Sequence, residues 1–155
     1  MEEERYQSAT QVFALYGRYF KHVQQETDLE TALKLQANSG EEGGIRIGKW
    51  MKDRKGVETL TPETFLPILK EINAPFGYDS TYTIQDNSIK LNTNRCPWYQ
   101  GFKISGHSHD MRGDLCGHFL RAFFKGLKQE YPNIEYNLDF REDKDGKCVE
   151  TISFT

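Results

Sequence analysis

The chain predicts an α+β fold: N-terminal helices, then a β-β-α-β-β unit whose four-stranded antiparallel sheet packs on a long helix. Three observations carry that prediction. Apolar residues recur at spacings of three and four through the first half. Short strand-like runs replace this pattern after Gly77. One long stretch with helical spacing, Met111 to Tyr131, separates the first pair of those runs from the second.

The elements follow in order. Tyr6, Ala9, Phe13, Tyr16, Phe20 and Val23 make one apolar face of a first helix, opposite Arg5, Gln11, Arg18 and Gln25. That stripe suits core packing; its sharper reading is the seam of a homodimer formed through the N-terminal helix. Thr27 with Glu30 makes a capping box that starts a second helix, continued by Leu29, Ala32, Leu33 and Gln36. Gly40-Glu41-Glu42-Gly43-Gly44 weakens the helical pattern. Ile45, Ile47, Trp50 and Met51 resume it, Gly48 permits close backbone approach, and Lys52 to Gly56 reads as a solvated break. Thr61 caps a third helix with Pro62 at its first position. Phe65, Leu66, Ile68, Leu69 and Ile72 form its buried face, and Pro67 predicts a kink or a short first turn. Ala74 to Gly77 ends it.

Thr81 to Ile84 and Ser88 to Leu91 read as strands around an Asp86-Asn87 turn. Gly101 to Gly106 reads as loop or strand end. In the long helix Leu115, Cys116, Phe119, Leu120, Phe123, Phe124 and Leu127 share a face, and Pro132-Asn133 stops it. Ile134, Tyr136, Leu138 and Phe140 alternate strictly, as do Cys148, Glu150, Ile152 and Phe154, giving a final hairpin across Glu142 to Gly146. The expected organisation is one domain over 1–155, with a helical part over 1–77 and a thiol-bearing β-β-α-β-β part over 78–155.

With 155 residues the chain is long enough for a sizeable core. Apolar residues make up 37% and aromatic residues 13%, enough to fill a core or line an apolar pocket. The net charge of −3 gives neither a nucleic-acid footprint nor a polybasic patch for a membrane. Met1-Glu2-Glu3-Glu4-Arg5 is unlike a secretory leader, and no apolar run approaches the roughly 20 residues that span a bilayer. These features predict a cytoplasmic protein with no nucleic-acid and no membrane partner. Three cysteines, an odd count, fit reduced thiols better than a disulfide scaffold.

Those thiols are the candidates for chemistry. Cys116 lies on the apolar stripe of the long helix, and Cys148 shares a strand face with Ile152 and Phe154, so the two converge on the helix–sheet interface. Cys96 falls on the opposite strand face by straight alternation. Pro97 follows it, however, and a bulge or strand end there would let Cys96 join the others. Together Cys96, Cys116 and Cys148 form a candidate set for zinc or another soft metal. Alternatively, Cys116 is a nucleophile with thiolate character from the nearby helix start, served by His107 or His109 as acid/base. Arg112 would hold a ligand carboxylate or the thiolate, and Trp98 and Tyr99 would wall the pocket. His118, roughly 200° around the helix from Cys116, points elsewhere.

The segment from Cys96 to Phe154 resembles the L-2-amino-thiazoline-4-carboxylic acid hydrolase-like family. The resemblance rests on Cys96-Pro97, Asp114-Leu115-Cys116 and Gly146-Lys147-Cys148. The same piece is similar to the vinyl-reductase-type ligand-binding domain, which has a further cysteine where this chain reads Asn137-Leu138-Asp139-Phe140. The resemblance implies a small-molecule pocket bounded by the thiols and hydrolysis of a cyclic amidine-like C–N bond. The favoured expectation is a small-molecule-binding domain with a cysteine-lined, metal-binding pocket. The alternative is a hydrolase using a cysteine nucleophile or metal-activated water. Behind both stands a module whose cysteines only fill space.

Overall fold

The computed structural model describes residues 1–140 and 147–155. Its elements are α1 (Glu2–Glu26), α2 (Leu29–Lys55), α3 (Pro62–Asn73), a 3-10 turn (Ala74–Phe76), β1 (Asp79–Gln85), β2 (Ser88–Arg95), α4 (Pro97–Ile104), α5 (His109–Glu130), β3 (Ile134–Phe140) and β4 (Cys148–Phe154). The fold is α+β. Its sheet has strand order β1-β2-β4-β3, with every neighbouring pair antiparallel. The expected turn from Glu142 to Gly146 lies outside the described residues. The segment read as loop from Gly101 is largely helix: Pro97 opens α4 at a first-turn position, where its missing N–H costs nothing.

Local chemistry sets the helix ends. Asp28 caps α2, its carboxylate accepting from the Thr31 backbone N–H at 2.7 Å. Thr27, expected in that role, closes α1 instead and donates to the Val23 carbonyl at 2.7 Å. Thr61 does cap α3, with Thr64 completing the reciprocal pair, and the helix runs on through Pro67. Ser108 caps α5 by accepting from the Met111 N–H.

The glycine-rich stretch expected to weaken α2 does the opposite of breaking it. Gly40, Gly44 and Gly48 recur every four residues on one face, directly beneath α5. A Cβ on Gly44 would stand 1.9 Å from the Phe123 carbonyl oxygen, and one on Gly40 would stand 2.6 Å from that of Phe119. From the other side, a Cβ on Gly126 would stand 2.0 Å from the Glu41 carbonyl oxygen. The two backbones are in direct contact along this seam. The predicted solvated break at Lys52 to Lys55 is also helical, and Gly56, at φ +65°, supplies the left-handed cap.

The α1 stripe is consumed inside the chain. Tyr6, Ala9, Phe13 and Phe20 are buried. The helix lies so close to α4 that a Cβ on Gly101 would stand 2.6 Å from the Phe13 Cβ. The stripe is therefore core, and Val12, Leu15 and Tyr19 are what α1 presents outward. Arg95 ties α1 to the sheet. Its guanidinium holds Glu3 through two bonds of 2.6 and 2.9 Å and lies 3.5 Å over the Tyr6 ring.

On the inner sheet face Ile89 and Tyr136 flank Ile152, while Leu91 and Leu138 flank Glu150. Helix α3 covers β2 and α5 covers β3, with Phe124 stacked on Tyr136 at 4.0 Å between ring centres. Asp79 pairs with Arg95 but Ser80 pairs with Thr93, so Asn94 is an extra residue bulged out of β2. The bulge shifts the alternation by one, and Cys96 turns inward. This is the break on which its meeting with Cys116 and Cys148 depended.

The glycine seam predicts opposite signs for neighbouring substitutions. Gly44→Ala should destabilise by about 2–3 kcal/mol or more, because backbone must move. At Gly43 a Cβ would meet only Phe123 Cδ2, at 3.7 Å. Gly43→Ala should therefore be neutral or stabilising by up to about 1 kcal/mol, through helix propensity alone. Urea unfolding of both variants checks this; equal effects at the two positions would refute direct backbone contact.

Candidate functional site

A cavity of about 320 Å³ lies between the sheet and the helices that cover it. Phe65, Leu69 and Ile72 of α3 form one wall, Phe119, Leu120 and Phe123 of α5 another, and Leu91 and Leu138 the sheet floor. Trp98 and Tyr99 of α4 also line it, as do Gly43 and Ile47 of α2. Cys96, Cys116 and Cys148 all line this one cavity.

The thiols converge, but not as reagents. Cys116 is buried, Cys96 and Cys148 are half-buried, and none of them is in a disulfide. Burial pushes the Cys96 thiol up to about 12, outweighing the backbone N–H groups of Trp98 and Tyr99 that favour its thiolate. Cys116 lies well above its ordinary value, first through burial and then through Cys96, Cys148 and Glu150 beside it. The expected thiolate character of Cys116 is therefore absent: α5 starts at His109, and removal from water dominates over its distant N-terminus. Among the described residues no group of three or more His, Cys, Asp or Glu side chains is arranged to hold a metal ion.

The histidines proposed as acid/base do not line the cavity among its described residues. His107 is buried against α1, with its Nε2 donating to the Gly17 carbonyl at 2.9 Å and its ring edge-on to Phe20 and Phe102. Burial holds its pKa below the usual 6.5. His109 Nδ1 lies 3.1 Å from the Tyr99 hydroxyl. Arg112 donates to the His107 carbonyl at 2.9 Å and to the Tyr99 hydroxyl at 3.0 Å, with its guanidinium 4.5 Å over the Tyr99 ring. These three residues clamp the start of α5 to α4, which fixes Tyr99 in the wall; Arg112 does not itself line the cavity. His118 is exposed and bonds only within its own helix, to the Asp114 carbonyl.

A cavity residue that sequence reasoning passed over is Glu150. It sits mid-strand in β4, on the inner face and in the cavity wall. Tyr136 donates to its Oε2 at 2.9 Å. Loss of water raises its pKa above the ordinary 4.5, and that bond only partly offsets the rise. Its signal was available: an acid alternating with Cys148, Ile152 and Phe154 on a face that must be covered. Tyr78 shares its surroundings, and burial together with Cys96, Cys116 and Glu150 raises the phenol's pKa well above the usual 10. No Lys, Arg or His lines the cavity among the described residues.

No family model matches the chain, and no curated protein does; the resemblance to the hydrolase-like family gains no support from them. Among solved structures the chain is similar to a trafficking protein particle complex subunit 3 from Naegleria fowleri, whose structure is described as covalently bound to palmitic acid. The TM-score is 0.59 at 10% identity, covering 96% of this chain and 95% of that one. The two share a fold.

A carboxyl group with a raised folded pKa stabilises the fold fully below 4.5, its ordinary value, and loses that contribution as pH rises through the folded value. Tyr136, Tyr78, Tyr82, Cys96 and Cys116 couple to Glu150, and all are raised from ordinary values of 9.0 to 10.0 that already lie above this window. His107, with a lowered pKa, gives the opposite slope below 6.5, but it cancels in a comparison of wild type with Glu150→Gln. The Gln variant should gain on wild type as pH climbs from 4.5 to 8, on the order of 1 kcal/mol at the upper end. Denaturation curves that stay parallel across this range would show Glu150 to be solvated.

Proposed function

We propose that the chain is a small-molecule-binding domain that holds an apolar ligand in this cavity without turning it over. The observation that carries the proposal is the cavity itself. It is enclosed by helices and sheet, walled mainly by aromatic and aliphatic side chains, and supplied with few polar groups, which is the composition of a ligand pocket. Apolar walls supply affinity by removing ligand surface from water. The neighbour's palmitic acid favours a ligand with an alkyl chain. In that protein the acid is covalently bound. Here burial raises the Cys96 and Cys116 thiols, which suits them to act as soft, polarisable lining and favours non-covalent capture.

Hydrolysis lacks supporting geometry. A cysteine nucleophile needs an adjacent base, and the two candidate histidines are engaged at the α1 and α4 surfaces. A metal-activated water needs a metal site, and the described residues offer none.

Displacement of a fluorescent apolar probe, N-phenyl-1-naphthylamine, by decanol tests the proposal. Wild type should bind both, and decanol should raise the melting temperature by mass action. Cys116→Phe should fill the cavity and weaken binding by about tenfold or more, roughly 1.4 kcal/mol. Cys116→Ser, which keeps the volume, should stay within about threefold of wild type. Equal binding by the Phe variant would place the ligand elsewhere, and no binding by wild type at millimolar decanol would end the proposal. Iodoacetamide at pH 7.5 should leave Cys116 unmodified until the protein unfolds; rapid labelling would reinstate a reactive thiolate.

A further inference from the structure

We infer that Glu150 is the polar anchor of the cavity and that the ligand is a long-chain primary amine, its nitrogen against the Glu150 carboxyl group and its chain along the apolar walls. This rests on the reading of the cavity as a ligand pocket and names the chemical class that the pocket selects.

The inference starts from an imbalance of charge and hydrogen bonds. Glu150 is the one acid, and no basic side chain accompanies it, among the described residues that line the cavity. Its Oε2 accepts from Tyr136, while no hydrogen bond among the described residues reaches Oε1. A carboxylate removed from water is costly unless it is paired. The described walls supply no counter-charge, and a ligand can supply one. An ammonium group supplies it with three donors, in charge-assisted bonds stronger than those of a neutral head group.

The surroundings fit the same head group. Across the sheet the Ser80 and Thr93 hydroxyls pair at 2.8 Å and line the cavity, with Thr93 directly opposite Cys148 in the ladder. Their oxygens can accept further donors. A ligand ending in a free carboxylate, by contrast, would bring like charge to Glu150 and find no cation in the described walls. The head-group preference thus separates this pocket from one built for a fatty acid. Away from Glu150 and these hydroxyls the described walls are mainly apolar, which suits an unbranched chain.

Three probes with one chain and different heads test the inference: decylamine, decanol and decanoate, each displacing N-phenyl-1-naphthylamine at pH 7 and submicellar concentration. Wild type should bind decylamine about tenfold or more tightly than decanol, the scale of one charge-assisted bond, with decanoate weakest. Glu150→Gln should bring decylamine to within about threefold of decanol, and continued displacement of the probe by decanol shows that the variant keeps its cavity. Decanoate binding as tightly as decylamine, or an amine preference that survives in Glu150→Gln, overturns the inference. Decanol binding without any amine preference sinks the head-group assignment alone. If none of the three displaces the probe, the cavity reading falls as well.

Discussion

The contact between the α2 and α5 backbones is the constraint on which the rest of the structure depends. Each glycine in the helix interior costs about 0.5–1 kcal/mol relative to alanine. The chain nonetheless places Gly40, Gly44 and Gly48 in one row, and Gly126 on the facing helix. What offsets that cost is the dense packing that two touching backbones allow. The seam also fixes where α5 can lie. With Phe119 and Phe123 carbonyls seated on the α2 glycines, the Cys116–Leu120–Phe123 side of α5 faces the sheet. The same seam brings Gly43 and Ile47 into the cavity wall. The height of the cavity roof is therefore set by the absence of side chains several residues away from it.

Below that roof the sheet floor departs from ordinary core chemistry. Ile152, Ile89 and Phe154 are buried as a covered strand face requires. Two residues along from Ile152 the same face turns polar, with Glu150 beneath Tyr136 and Cys148 opposite Thr93. A leucine at 150 would complete the floor and remove the desolvation of a carboxyl group. The polar change coincides with the empty volume, and both features lower stability. Their coincidence is what a binding site produces and what a core selected for stability alone would avoid.

Much of this was legible in the sequence, and the failures have physical causes. Period two placed Cys148 and period 3.6 placed Cys116 on facing surfaces, and those periodicities hold because one face of each element is covered. Cys96 needed a change of phase that alternation cannot show; Pro97 marked the place, and the bulge at Asn94 made it. The glycines of α2 misled because a sequence does not say whether a glycine is a weak helix former or an opening for a neighbouring backbone. The histidine loop misled for a different reason. His107 bonds to Gly17, 90 residues away, a partner that no local pattern reveals. Glu150 was visible in the alternation and was read past because two neighbouring positions on its face were apolar.

The thiols, the phenols and Glu150 share one lining, and their electrostatics bear on the proposed choice of binding over turnover. Burial pushes these groups toward the neutral form first; Cys116 is raised further by Cys96, Cys148 and Glu150, and Tyr78 by those groups and Cys116. A first negative charge in such a cluster raises the cost of a second, so no group in it can ionise cheaply while the cavity lacks a cation. Nucleophilic chemistry by cysteine demands that charge. The cluster therefore opposes it as built, and Glu150, with the lowest ordinary pKa of the set, is the first to ionise when a positive ligand enters. In the proposed reading, recognition of a cation and suppression of thiol chemistry share one cause: a buried lining with an acid and, among the described residues, no base.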